Sequence, residues 1–375
     1  MSIKENTIEK LIKDNCPQGV RFFQIGQICN ISRGRVMSKD YIQANAGEYP
    51  VYSSQTADEG VFGRINTYDY DGEYVTWTTD GANAGSIFYR NWKFSITNVC
   101  GLLRPINEEL NSKYLTYILM ITAKAYVNAG MGNPKLMSNV MASVKIPVPP
   151  LEIQEEIVKI LDNFTELEAE LEAELEARKR QYEYYRDDLL SFGEDEVEWR
   201  ELGEVVKMNR GVRVVKSQLE ESGKYPVYQN SMKPLGYYDK NNNQANTTFV
   251  ITAGAAGEIG YSNIDFWAAD DCFTLSCPSN LQGKFVYYFL KVQQNFLFSR
   301  VRRASIPRLS RTVIEKIKIP LPPLLKQQEI VAVLDKLDAL INDISIGLPA
   351  ELSARRKQYE YYRNKLLTFP EYVSE

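Results

Sequence analysis

The sequence predicts an α+β chain with a pseudo-two-fold internal repeat: two sheet-rich globular units separated by two long antiparallel helices that pair as a coiled-coil spacer. Three observations carry this. KIPVPPLEIQEEIVKILDNF (Lys145 to Phe164) returns as KIPLPPLLKQQEIVAVLDKL (Lys318 to Leu337), offset by 173 and identical at 12 of 20 positions. RKRQYEYYRDDLLSF (Arg178 to Phe192) returns as RRKQYEYYRNKLLTF (Arg355 to Phe369), identical at 10 of 15 with an offset of 177, so four residues separate the spacings of the two blocks. Ahead of each helical block the chain is broken into short β-type runs, with looser echoes such as GEYPVY (Gly47 to Tyr52) against GKYPVY (Gly223 to Tyr228). A period of about 175 residues is domain-sized.

The first unit is expected over residues 1–150. Its apolar and aromatic residues cluster at Tyr49 to Tyr52, Tyr74 to Thr78, Ser86 to Tyr89 and Val99 to Leu103, broken by turn residues, the pattern of short strands. Helical spacing follows at Ser112 to Tyr126. The second unit, residues 193–323, repeats the order with Tyr225 to Tyr228, Thr248 to Thr252 and Cys272 to Leu275 before a helix near Lys284 to Ser299.

Each unit leaves through prolines, Pro147 to Pro150 or Pro320 to Pro323. Proline fixes φ and lacks an N–H, so each exit is a stiff joint just ahead of a helix. The first spacer helix, residues 151–192, carries Ile157, Ile160, Phe164, Leu167, Leu171, Tyr182, Tyr185 and Leu189 at helical spacing, and its 42 residues would span about 63 Å. The second, with the C-terminal tail, covers 324–375 and carries Ile330, Val333, Leu337, Ile341, Ile344, Leu348, Tyr359, Tyr362 and Leu366. A helix this long with one apolar stripe needs a partner, and the other copy supplies it. Antiparallel pairing puts the units at opposite ends of the spacer and brings the chain's start and finish together. Gly347-Leu-Pro349 interrupts the second helix, Pro349 opening a new segment in its first turn.

Composition narrows the function. No run of 18 or more apolar residues exists, and Met1 to Asn15 mixes charge through its apolar positions, so neither a membrane span nor a signal peptide is expected and the expected location is the cytoplasm. Five scattered cysteines fit reduced core thiols. The absence of histidine removes serine and cysteine triads, imidazole general bases and histidine zinc sites. Neither GxxxxGK[ST] nor a strand-borne GxGxxG is present. The expectation is a non-enzymatic chain with no metal or cofactor of its own. The net charge of −4 divides unevenly: +2 over 1–150, −11 over 151–200, +6 over 201–320 and −1 over 321–375. Phosphate responds to local potential within about 10 Å, so the basic second unit outweighs the acidic total.

A sheet-rich unit, a Pro-Pro exit, a long helix ending in QYEYYR, and then all of it again resembles the specificity subunit of Type I restriction-modification systems, the HsdS family, along essentially the whole chain. The resemblance rests on the paired PPLxxQ and QYEYYR blocks and on TTDGANAGSIFYRNWKFSITNVCG (Thr78 to Gly101). It implies that the units are target-recognition domains, each reading half of a bipartite site in double-stranded DNA. It also implies that the helices hold the spacing and dock two methyltransferase subunits, that restriction subunits join, and that AdoMet (S-adenosylmethionine) belongs to the methyltransferase alone. The second unit has ITAGAAG (Ile251 to Gly257) in place of TTDGANAG, so the half-sites should differ. Asn133-Pro134-Lys135 is not the N/D-P-P-Y/F motif of amino-methyltransferases.

For DNA contact the informative features are basic and amide side chains on glycine-bearing loops, since arginine pairs with guanine and Asn or Gln with adenine. In the first unit these are Arg33, Arg35, Lys39, Ser53, Ser54, Gln55, Thr79, Asp80, Asn83 and Lys135. In the second they are Arg210, Arg213, Lys216, Gln229, Asn230, Arg300, Arg302, Arg303 and Arg308, the last four forming with Arg311 a strong local field for phosphate. Tyr182, Tyr185, Arg186, Tyr359, Tyr362 and Arg363 are candidates for the partner surface, although their tyrosines also suit packing of the two helices. The glutamates from 166 to 176 read as a solvated helix face. A coiled-coil adaptor binding proteins through its globular ends is the rival reading.

The tetrads LEAE (Leu167 to Glu170), LEAE (Leu171 to Glu174) and LEAR (Leu175 to Arg178) generate a prediction. One tetrad adds about 6 Å of helix and drifts the leucine stripe by only about 40°. Adding or deleting one should leave both half-site sequences intact and change the gap between them by one or two base pairs, read from the methylation pattern. An unchanged gap at full activity contradicts it.

Overall fold

The computed structural model describes residues 2–128, 130, 132–343 and 345–372, without the side chains of residues 2–7. Ile344 of the expected apolar stripe and the last three residues of the tail lie outside the described residues. The chain forms two compact units that do not follow its linear order: the first joins Met1–Glu170 to Leu352–Glu375, and the second is Leu171–Glu351.

Both units are built from the same three sheets. In the first, Cys29–Arg33, Cys100–Pro105, Glu73–Thr78 and Ile87–Asn91 lie side by side in that order as an antiparallel sheet. Ala46–Tyr52 pairs antiparallel with Val61–Ile65 and parallel with Ser95–Ile96, and Phe22–Gln24 pairs with Lys145–Pro147. In the second unit the corresponding four are Lys207–Arg210, Cys272–Ser276, Thr247–Ile251 and Ile259–Ser262. Tyr225–Tyr228 lies between Gly236–Tyr238 and Trp267–Ala268, and Trp199–Glu201 pairs with Lys318–Pro320.

Successive side chains of a strand point to opposite faces, and here both faces are covered. From Glu73–Thr78, Val75 and Trp77 enter the core shared with the helix Ser112–Thr122, while Tyr74 packs with Phe94, Ile96 and Leu102 on the other side. Val250 and the pair Phe249 and Ile251 divide in the same way in the second unit. The helix near Lys284 to Ser299 is two pieces, Gly283–Val292 and Gln294–Ser299.

The first spacer helix is continuous over Leu151–Leu189, three residues short of the expected end. In the first unit its opening half packs antiparallel to Leu348–Leu366: Phe164 lies 5.5 Å from the Tyr362 ring and 6.2 Å from Tyr359, and Glu168 pairs with Arg356 at 2.6 Å. In the second unit Tyr182 and Leu190 share a core with Ile330, Val331, Leu334 and Ile341. The stripe read from spacing is corrected at three positions. Leu167, Tyr185 and Val333 are exposed, whereas Ile153, Leu161, Val331 and Leu334 are buried. Near each globular part the helix is covered by sheet-side elements as well as by a helix, which widens and rotates the buried arc.

The second spacer is two helices, Leu324–Asn342 and Leu348–Leu366, with Pro349 in the first turn of the latter. Asp343 Oδ1 accepts from the Ser345 and Ile346 N–H groups at the break, and Gly347 fits where a Cβ would come within 2.6 Å of the Ala339 carbonyl oxygen. The chain's ends meet: Val20 N–H donates to the Pro370 carbonyl, Tyr372 N–H donates to the Val20 carbonyl, and Glu9 pairs with Lys365. No helix among the described residues is long and apolar enough to cross a membrane.

The PPLxxQ block has a mechanical role in both units. Gln154 is fully buried; its Nε2 donates to the Glu109 and Pro149 carbonyls and its Oε1 accepts from Asn111 N–H. Gln327 repeats this with the Asn280 and Pro322 carbonyls and Gln282 N–H. Two turns on, Asp162 accepts from Lys113 and Tyr117, and Asp335 accepts from Lys284 and Tyr288. Replacing Gln327 with alanine takes the amide from three backbone partners, of which the Pro322 carbonyl is buried and those at Asn280 and Gln282 are partly buried, so urea denaturation should show a loss of about 2–4 kcal/mol. A loss under about 0.5 kcal/mol would remove this role.

Candidate nucleic-acid interface

At one edge of the first unit's four-stranded sheet, Cys29–Arg33 and Glu73–Thr78 end while Ile87–Asn91 and Cys100–Pro105 begin, so their loops gather there. Arg33 Nη2 donates to Thr79 Oγ1 at 2.8 Å. Leu136 N–H donates to the Thr79 carbonyl, Gly81 N–H donates to the Pro134 carbonyl, and Asp80 forms a β-bridge with Lys135. Lys135 closes its own loop by exchanging backbone hydrogen bonds with Asn128. Thr97 links this edge to the neighbouring sheet, donating its hydroxyl to Ser53 Oγ at 3.1 Å and forming a bridge with Arg35. Arg33, Arg35, Ser53, Thr79, Asp80 and Lys135 are thus brought together, with Asn83 exposed on the same loop as Asp80 and its carbonyl accepting from Thr78 Oγ1.

The second unit builds the same edge from other side chains. Arg210 Nε donates to the Asp270 carbonyl. Leu309 N–H donates to the Thr252 carbonyl, Gly254 N–H to the Pro307 carbonyl, and Arg308 bridges both Ala253 and Arg302. Ala255 N–H donates to the Asn230 carbonyl and Cys272 Sγ to that of Gln229, so the loop after Tyr225–Tyr228 joins the cluster. Arg302, Arg303 and Arg308 are exposed. Arg300, at the end of Gln294–Ser299, is exposed as well and stacks on Phe296. Arg213 follows Val212 on the loop leaving Lys207–Arg210, and Lys216 opens the turn Lys216–Gln218.

Glycine is required where the loops leave the sheet. A Cβ on Gly34 would sit 1.9 Å from the Ile96 carbonyl oxygen, and one on Gly211 would sit 2.0 Å from that of Ala269. The repeated Arg-Gly at 33–34 and 210–211 is the sequence signal for this equivalence. It makes Val212, rather than Arg213, the counterpart of Arg35.

Several expected readers are already engaged. Arg35 pairs with Asp69 at 3.2 Å and donates to the Tyr41 hydroxyl. Gln55 Nε2 donates to the Val61 carbonyl, and Lys39 opens the helix Lys39–Ala44. Arg90 has no early signal in the sequence: it is buried, 3.6 Å from the Tyr52 ring centroid, and donates to Thr76 Oγ1 and the Glu59 carbonyl. Burial lowers its pKa. Its grip holds a loop in which Asp58 and Glu59 both have φ near +50° (48° and 49°), backbone strain typical of functional loops.

The helical candidates divide. Tyr182 is buried; Tyr359 and Tyr362 are half-buried against Phe164. Arg186 lies over the Tyr182 ring and pairs with Asp187, and Arg363 lies over Tyr359. Tyr185 is exposed, and so are Tyr184 at 67% and Tyr361 at 62%.

A family model for the type I restriction modification DNA specificity domain matches residues 17–177 and again 194–354. A putative type I specificity subunit of Mycoplasma pneumoniae is 34% identical over 362 residues, covering 94% of this chain and 98% of the relative. The specificity subunit of the type I restriction enzyme MpnII from the same organism is 42% identical over 198 residues, 52% of this chain and 59% of that one. The crystal structure of a Type I restriction-modification S subunit from M. genitalium has the same fold, with a TM-score of 0.65 over 93% of this chain and 96% of that one at 19% identity. The two units are therefore repeated DNA-specificity domains. The chain belongs to the type I restriction-modification specificity family, and its function is DNA sequence specificity; the adaptor reading is not favoured.

The exposed arginines generate a prediction. Replacing Arg302 and Arg303 with alanine should weaken binding about equally on all sequences and flatten the dependence of log K on log salt by roughly one unit for each phosphate no longer neutralised. A changed target sequence at unchanged affinity would make them base readers.

Proposed function

We propose that each unit reads one half of a bipartite site in double-stranded DNA through its sheet-edge loops, and that the helices set the gap and carry two methyltransferase subunits, which restriction subunits join. The observation that carries this reading is the duplicated edge. Thr79 with Leu136, Gly81 with Pro134 and Lys135 with Asn128 recur as Thr252 with Leu309, Gly254 with Pro307 and Arg308 with Arg302. The backbone ties are the same while the side chains they present differ, which is what two readers of different sequences need.

In this reading the chain is non-catalytic, AdoMet is held by the methyltransferase, and the complex works in the cytoplasm where its DNA is. The exposed Tyr184, Tyr185 and Tyr361 are the partner-side aromatic residues, since a tyrosine offers apolar area with little entropy to lose. Grafting residues 195–317 from a relative should change one half of the methylated sequence and leave the other intact, read by mapping methylated adenines. A change in both halves together would defeat the two-reader model.

A further inference from the structure

We infer that Ile306 is a specificity-determining residue of the second unit, reading the 5-methyl group of a thymine in the major groove. The inference rests on the proposed role of the sheet-edge loops and names a residue that charge and amide content do not reveal.

Ile306 is 53% exposed, at the tip of the loop closed by Arg302 and Arg308. That loop is pinned on both sides. Arg302 N–H donates to the Arg308 carbonyl at 2.8 Å, Arg308 N–H donates back at 3.1 Å, and the Pro307 carbonyl accepts from Gly254 N–H at 3.2 Å. Leu309, just beyond, is buried and anchors the exit. A residue before proline is biased towards extended backbone, which narrows the directions open to the Ile306 side chain. The tip is therefore a held apolar group, flanked by the exposed cations Arg302, Arg303 and Arg308.

Cations on both sides draw the tip to phosphate, and an isoleucine brought against DNA has no hydrogen bond to offer. The base-edge feature it can recognise in the major groove is the thymine methyl, and burying one methyl against it is worth about fourfold in affinity. The first unit provides a contrast. Pro134 and Pro307 occupy the same place in the hydrogen-bond pattern, so the residue matching Ile306 is Asn133, an exposed amide. Half-sites that differ in their need for a thymine methyl follow from that one exchange.

The test uses the full chain assembled with its methyltransferase and measures binding to duplexes carrying its methylated site. Each thymine of the second half-site is replaced in turn by deoxyuridine, which lacks only the methyl. One position should weaken binding about fourfold in the native complex. I306A should bind the thymine duplex about fourfold more weakly, lose sensitivity to that replacement, and respond to deoxyuridine in the first half-site as the native chain does. The inference is overturned if no deoxyuridine position weakens the native complex, or if I306A remains as sensitive as the native chain. Loss of binding by I306A on every sequence, with deoxyuridine tolerated throughout, would instead make Ile306 an apolar wedge and also overturns methyl reading. R210A, measured in parallel, separates the two levels. If it changes second half-site recognition while I306A does not, only this inference fails; if neither does, the sheet-edge reading fails with it.

Discussion

A buried glutamine amide fastens each spacer helix to the unit it leaves, and the rest of the architecture depends on that joint. Gln154 and Gln327 each satisfy one backbone N–H and two carbonyls at the point where prolines end the extended exit and the helix begins. A buried amide with both ends paired tolerates few alternative orientations, because each lost partner costs a desolvated polar group. Asp162 and Asp335 add a second point of attachment two turns along. Burial, followed by the hydrogen bond to Asp162, pushes the Tyr117 hydroxyl above its usual pKa, and the same two causes act on Tyr288 beside Asp335, so both tyrosines stay protonated donors. With two points of attachment the helix leaves each unit in one direction. A spacer can set a distance on DNA only if it is joined rigidly in this way.

The sheet edge proposed to read DNA is built on the opposite principle. Its backbone is over-determined by β-bridges, by Gly34 and Gly211 lying against carbonyl oxygens, and by the Trp77 indole donating to the Leu136 carbonyl at 2.9 Å. The side chains presented on it are free to vary, and they do: Lys135 becomes Arg308, Asp80 becomes Ala253, and the Arg35 and Asp69 ion pair becomes Val212 and Asn242. Separating a fixed frame from variable side chains lets one fold serve two half-sites.

The helices, the prolines and the existence of two units were legible because repeated helical blocks keep their identity and a 3.6-residue period is a local property. Strand positions were legible for the same reason, as short apolar runs between turn residues. Facts that depend on distant partners were not. Nothing near Arg35 announces Asp69, and nothing near Arg90 announces that it will be buried on Tyr52. The stripe failed at Leu167, Tyr185 and Val333 because spacing gives one face, whereas the buried Ile153, Leu161, Val331 and Leu334 put the packed face to one side of it. Among the tyrosines of QYEYYR, spacing picks out a face but not which of its members meets solvent. The assignment of Leu352–Glu375 to the first unit, closed through Val20 and Pro370, likewise depends on a contact across the whole length of the chain.

Interchangeable units that read DNA independently must each carry their own half-site sequence. The most direct measurement is the methylation map of a chain in which residues 17–150 are replaced by a second copy of residues 194–323, assembled with the same methyltransferase. Both halves of the methylated site should then carry the sequence of the present second half-site. Retention of the present first half-site sequence by that chain would show that the units do not carry their own specificity.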